Sequence, residues 1–203
     1  MSRKALILEK AIGLFKSQGR HQTSIRQIAS VAGVSHSLLH KHWDSKDALF
    51  LESVETEVER LRQLFKKDCS RVENTLHFLL KYPDEWTLIA RCLSVPPGQT
   101  GEEKRMKTKI DARIRPLLDD LMKLTKRFVS QESIDIGHAT DGQASVAWFF
   151  LVVSVFSGHC LTRGSLEEYL GESDLHVARR VVIDAFYENW IFRNTYGRAS
   201  DSP

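Results

Sequence analysis

Cysteine is scarce in this 203-residue chain: there are three, at positions 69, 92 and 160, with no C-x-x-C among them. An odd, widely spaced set argues against a disulfide framework or a zinc site and fits a reducing cytoplasm, and no metal or cofactor is implied. No secretory leader is expected either. Only four apolar residues separate Arg3-Lys4 from Glu9-Lys10, fewer than an h-region needs, so the chain is expected to stay in the cytoplasm. Acidic side chains are absent between Glu9 and Asp44. Residues 1–50 carry eight Lys/Arg against three Asp/Glu, a net +5, whereas the whole chain is +3, so residues 51–203 carry −2. Positive charge gathered at one end suits a surface that displaces counterions from a duplex.

Charge is missing altogether from 142–162, and 147–153 is continuously apolar. That stretch is long enough to cross a bilayer. Ser145, Ser154, Ser157, Gly158 and His159 nevertheless recur along it at near-helical spacing, and no basic clusters or interfacial anchors flank it on both sides. It therefore reads as a helix buried inside a bundle, with no membrane partner. Apolar residues make up 42% of the chain, enough to bury a sizeable core, and there are no internal repeats or low-complexity segments.

What is present is clearest over 24–46. Ser24, with Gln27 three residues on, forms a capping box, and Ile25, Ile28 and Ala29 follow at helical spacing. Gly33 falls where two steeply crossing helices need a residue that tolerates positive φ, and Ala32 beside it allows close packing. Ser35 caps the next helix. With Val34 and Leu39 assigned to its buried face, that helix leaves Ser35, His36, Ser37, His40, Lys41 and His42 near solvent. These short or cationic hydrogen-bonding groups suit phosphates and base edges. Trp43 closes the helix as an aromatic core plug.

Several neighbours carry two readings. Thr23 and Ser24 are helix caps, or their helix N-terminus binds phosphate through backbone N–H groups. Arg26 and Lys41 are solvated surface charges or phosphate contacts. Leu38 packs, or it touches a thymine methyl. Lys46 lies in the first turn of a fourth helix, where a cation opposes the macrodipole unless an anion offsets it, and a phosphate is the obvious anion.

These landmarks together resemble the TetR family of bacterial transcriptional regulators. Residues 7–15 (Ile-Leu-Glu-Lys-Ala-Ile-Gly-Leu-Phe) look like the family's first helix and Gly19 its turn. Residues 23–29 (Thr-Ser-Ile-Arg-Gln-Ile-Ala) look like its second helix, 32–35 (Ala-Gly-Val-Ser) its inter-helix turn, and 42–49 (His-Trp-Asp-Ser-Lys-Asp-Ala-Leu) its junction into helix four. The resemblance is specific over about the first 55 residues and architectural beyond residue 65. The sequence departs from it at Ser37, Leu38, Leu39, His40 and Lys41, where the family commonly carries Gly, Thr, Leu, Tyr, Tyr. Phosphate contacts made by such tyrosines would fall here to His40 and Lys41, making them more electrostatic and more pH-dependent.

The expected fold is all-α, with about nine helices. Residues 1–48 form a helix-turn-helix head (motif 24–43), and 49–203 form a helical effector-binding and dimerisation bundle. Helix four is expected from Ser45 to Lys67, with Phe50, Val54, Val58, Leu61 and Phe65 as its buried stripe and Glu52, Glu55, Glu57 and Glu59 mostly off it. A short helix over 71–81 should end at Tyr82-Pro83, Asp84 should cap the next, and Pro116 should kink or split a long helix over 102–128. Residues 143–163 and 174–194 present more apolar surface than one small core requires. The surplus fits a homodimer interface of four helices, as the resemblance also implies, and two heads about 34 Å apart would then meet successive major grooves of a palindromic operator.

The resemblance further implies a small-molecule effector inside the bundle. Trp86, Met106, Ile110, Phe149, Phe150 and Phe156 qualify as apolar walls, and Arg91, Cys92 and His159 as orienting groups, although core packing is the favoured reading of each aromatic. An enzyme is not expected. Only His159-Cys160 offers two catalytic residue types together, and neighbours on a helix point about 100° apart. The expected function is a DNA-binding repressor released by a hydrophobic effector; the alternative is a helix-turn-helix regulator controlled by a protein partner, or one without an effector.

Overall fold

A computed structural model describes residues 2–68, 78, 79, 81–95, 99–131, 153 and 157, excepting the side chains of 128–131. Six helices and no strand are found among the described residues: α1 (Arg3–Gln22), α2 (Ile25–Ala32), α3 (His36–His42), α4 (Lys46–Asp68), α5 (Pro83–Ser94) and α6 (Gly101–Gln131). The all-α expectation holds. No described helix is long and apolar enough to cross a membrane.

Local chemistry sets the boundaries in the head. The Ser2 hydroxyl accepts from Ala5 N at 3.2 Å and opens α1. Gly19, at φ 78°, breaks the helical path near the end of α1, where the sequence placed a turn. Both halves of the Ser24–Gln27 capping box are formed, with Gln27 N on Ser24 Oγ at 3.2 Å and Ser24 N on Gln27 Oε1 at 2.8 Å. Gly33 adopts the left-handed conformation (φ 65°, ψ 35°), and its N–H reaches back to the carbonyls of Ala29 and Ser30.

Helix α4 is the spine, packed against α1, α5 and α6. Phe50, Val54, Val58 and Leu61 are buried and Phe65 is half-buried, as the stripe required. Phe50 meets Phe15 of α1 edge-on, with ring centroids 4.9 Å apart. One contiguous core runs from Ile7 and Phe15 through Leu39, Trp43 and Leu61 to Ile114 and Leu124.

Three expectations need correction. Helix α5 starts with Tyr82 at its cap and Pro83 in its first turn, so Asp84 lies inside the helix, where its charge still favours the N-terminal dipole end. Of the two outcomes expected at Pro116, a kink or a split, the split does not occur, and helix α6 continues through it. Pro116 and Ala112 both sit on its exposed side, where water can take the carbonyl that the missing N–H leaves. Glu57 does not share the solvated face of α4: it is fully buried between Lys16 of α1 and Arg60, with Arg60 Nη1 at 2.7 Å. Burial pushes its carboxyl above the usual range, against the opposing pull of Lys16 and then Arg60. Most of the helix expected over 71–81 and both segments expected to form the dimer interface, 143–163 and 174–194, lie outside the described residues apart from Val153 and Ser157.

Candidate nucleic-acid interface

Helix α3 is seven residues long, too short to persist alone, and is held by its neighbours. Ser35 Oγ accepts from Leu38 N at 3.2 Å to start it. Leu39 is fully buried beneath it, and Trp43, 3% exposed, closes it. Trp43 is itself anchored twice: Nε1 donates to Glu52 Oε2 at 2.6 Å, and Lys4 Nζ lies 5.4 Å from the ring centroid while pairing with Glu52 Oε1 at 2.8 Å. Glu52 thus ties α1, the end of α3 and α4 together.

The opposite face of α3 is left to solvent. His36, Ser37, His40 and Lys41 are exposed, His42 and Leu38 half-buried. The His36 and His40 rings stand edge to face with centroids 4.5 Å apart, one turn apart on the helix, and Ser37 Oγ lies 3.1 Å from Ser35 Oγ. Arg26 on α2 is exposed as well, and Ser24 is exposed but committed to its capping box. The result is a strip of donors without a carboxylate.

Thr23 and Lys46 turn their side chains to partners inside the head. The Thr23 side chain is buried, 1% exposed, and its hydroxyl donates to the Gly19 carbonyl at 2.7 Å, so only its backbone can face a ligand. Lys46 Nζ donates to the carbonyls of Arg20 and Thr23, each at 3.1 Å. The oxygens that offset its charge are therefore carbonyls at the end of α1, where a cation complements that helix's dipole. Its neighbour Asp47 accepts a forked pair from Arg20, Nε at 2.9 Å and Nη2 at 3.0 Å. Replacing Lys46 with Ala is therefore expected to lower the melting temperature of the protein as well as its affinity for DNA. Thermal denaturation by circular dichroism checks this; an unchanged melt would show that the two carbonyl bonds contribute nothing net.

Of the residues named for an effector, four come together. Arg91, Cys92, Met106 and Ile110 line a cleft of about 820 Å³ between the end of α1 and helices α5 and α6. Arg91 donates Nε to Lys16 O at 2.6 Å and Nη2 to Ser17 O at 2.8 Å, clasping α1 just before its break at Gly19. Trp86 is elsewhere: fully buried, it donates Nε1 to Ser157 Oγ at 3.2 Å. Phe149, Phe150, Phe156 and His159 lie outside the described residues. Burial pushes the Cys92 thiol up to about 12, with Lys107 opposing. At pH 8 its thiolate fraction, and hence its alkylation by iodoacetamide, should be roughly a thousandfold below that of a free cysteine. Peptide mapping checks this, and rapid Cys92 labelling would contradict it.

A short helix with a polar outer face, set by a glycine turn behind a capped helix and mounted on a helical bundle, defines a helix-turn-helix DNA-binding protein. Residues 7–53 match the family described as bacterial regulatory proteins, tetR family. The match is confined to those residues, and the chain as a whole is similar in fold to solved transcriptional regulators. A curated relative, the nucleoid occlusion factor SlmA of Alteromonas mediterranea, is 21% identical over 196 residues, covering 93% of this chain and 92% of its own. Among solved structures, a TetR transcriptional regulator from Legionella pneumophila superposes with TM-score 0.64 at 15% identity, over 90% of this chain and 96% of that one. The regulator FadR from Bacillus subtilis, in complex with stearoyl-CoA, superposes with TM-score 0.60 at 14% identity, over 90% and 96%.

Proposed function

We propose that the chain is a cytoplasmic transcriptional repressor, without enzymatic activity, that binds a palindromic operator as a homodimer and is released by a small hydrophobic effector. The observation that carries the reading is the outer face of α3, where Ser37, His40 and Lys41 are exposed on a head of net charge +5 and no carboxylate interrupts them. Duplex affinity arises from phosphate neutralisation, and sequence preference from the short donors of α3 that reach base edges. Lys41, Arg26 and the remaining N–H of Lys46 are assigned to phosphates, with Ser24 and Ser35 at the helix starts. Ser37, His36 and His40 are assigned to bases, with His42 at the end of α3 nearest the backbone. Dimerisation through 143–163 and 174–194 supplies the two-fold symmetry that a palindrome requires. The stearoyl-CoA held by the Bacillus subtilis regulator supports the effector part of the proposal.

The reading is tested by enriching a duplex from a random pool and titrating it against the protein. Two chains per enriched palindrome, with affinity falling steeply as salt rises, is the expected result. One chain per duplex at saturation would overturn the dimeric operator complex. A second reading, a helix-turn-helix protein without a small-molecule effector, is favoured by the full-length similarity to a nucleoid occlusion factor. It predicts many binding sites spread along the chromosome and no compound that releases the protein.

A further inference from the structure

We propose that the cleft between the end of α1 and helices α5 and α6 binds an amphipathic anion, a carboxylate carried on an apolar body, and that Arg91 transmits its occupancy to the DNA-binding head. The step from occupancy to DNA release rests on the effector-controlled reading above; the binding site itself does not.

At about 820 Å³ the cleft is of the size of small-molecule sites. Its walls come from four helices. Phe15 of α1 and Leu88 of α5 back it, fully buried, while Phe50 of α4 and Met106 and Ile110 of α6 present apolar edges, and Cys92 adds an uncharged thiol. The ligand's body is therefore apolar.

The polar end is read from the charges along the same lining. Arg20 is forked onto Asp47, and Lys107 pairs with Asp111 at 2.6 Å. Glu103, the carboxylate on the lining, is turned onto the N–H groups of Gln99 and Thr100 at 2.9 and 3.1 Å. Among the described residues Arg91 differs from the other two cations, because its acceptors, Lys16 O and Ser17 O, are neutral carbonyls and no carboxylate pairs with it. Gln18, the next residue of α1, lines the cleft with its carboxamide nitrogen buried and without a hydrogen-bond partner. A buried donor left unsatisfied is costly, and a ligand oxygen would recover that cost. A guanidinium without a carboxylate partner and an orphaned N–H on the lining of one cleft fit an oxyanion.

The same geometry links the site to the head. The Arg91 guanidinium clasps α1 two residues before Gly19, whose φ of 78° interrupts the helix, while Lys46 of α4 holds the carbonyls beyond that break. A carboxylate on Arg91 competes with Lys16 O and Ser17 O for the same guanidinium. Binding then weakens the clasp between α5 and the head, which couples the ligand to head orientation through a difference in affinity for the two arrangements.

Isothermal titration of the full chain with octanoate, and with 1-octanol as the neutral counterpart, tests the site. Octanoate should bind about tenfold or more tightly than octanol, the difference that one charge-assisted fork supplies. Arg91→Gln should remove that preference, Arg91→Lys should retain part of it, and Met106→Trp, which fills the floor, should abolish binding of both. Circular dichroism melts of each variant separate these losses from unfolding. Equal affinities for octanoate and octanol, octanoate binding unaffected by Met106→Trp, or no octanoate binding up to its solubility limit would each overturn the site. Octanoate binding with operator affinity unchanged would overturn the coupling to the head while leaving the site in place.

Discussion

Trp43→Ala is expected to destabilise the protein by about 3–5 kcal/mol and to abolish DNA binding. Trp43 is 3% exposed, and removing its ring empties the junction where α1, α3 and α4 meet. The substitution also removes one of the two partners of Glu52, which accepts from Trp43 Nε1 at 2.6 Å, and takes away the ring over which Lys4 sits. Because α3 is only seven residues long, it keeps its helical form through Leu39 and Trp43, and a head that remains folded elsewhere would still present its base-facing residues in no fixed order. Trp43→Phe should behave differently. It keeps most of the buried area and loses the indole hydrogen bond, so the cost should be about 1–2 kcal/mol with DNA binding retained. Urea denaturation gives the stabilities, and fluorescence anisotropy on an enriched duplex gives the binding. A Trp43→Ala protein with native stability and affinity would show that α3 is positioned by something else.

The second large effect concerns the buried carboxylate. Lys16→Met is expected to cost about 3 kcal/mol at neutral pH, the low end for breaking a buried pair, because Arg60 remains beside Glu57. Its pH dependence gives the mechanism away. Burial raises the folded-state pKa of Glu57 above its value of 4.5 in the unfolded chain, so the native state holds the proton more tightly. Stability from that group is present below 4.5 and lost as pH rises through the folded pKa. Removing Lys16 raises that pKa further. The deficit of Lys16→Met relative to the unaltered protein should therefore be small at the acid end, where Glu57 is protonated in both, and grow as pH increases toward neutrality. Urea denaturation across that range measures it. A deficit independent of pH would mean that Lys16 contributes through packing of its methylenes and not through its charge.

Much of the head was legible in the sequence because its determinants are local. The Ser24–Gln27 box, the left-handed Gly33, the Ser35 cap and the break at Gly19 each depend on two or three neighbouring residues, and each formed as expected. The partners of long cationic side chains were not legible. Lys46 and Arg91 both end on backbone carbonyls at the end of α1, 23 to 26 and 74 to 75 residues away, and no sequence pattern marks a carbonyl as an acceptor. Glu57 was misplaced although a signal existed. It lies three residues after Val54 and four before Leu61, on the buried stripe itself, and Lys16 follows the buried Phe15 on the facing helix. Charge alone assigned it to solvent, where spacing placed it inside. The cleft was half visible: Arg91, Cys92, Met106 and Ile110 were candidates by residue type, whereas Gln18 and Phe15 joined them only once α1 was packed against α5 and α6.

Lys41 provides the most direct test of the claim that the exposed face of α3 engages duplex DNA. It is exposed on α3, so its replacement should leave the fold intact. Lys46, by contrast, is tied into α1. The decisive measurement is the slope of log affinity against log salt on an enriched duplex, for the unaltered protein and for Lys41→Ala, with circular dichroism melts alongside. The account predicts an unchanged melt and a slope shallower by about 0.9, the share of a single neutralised phosphate. An unchanged melt with an unchanged slope would contradict it.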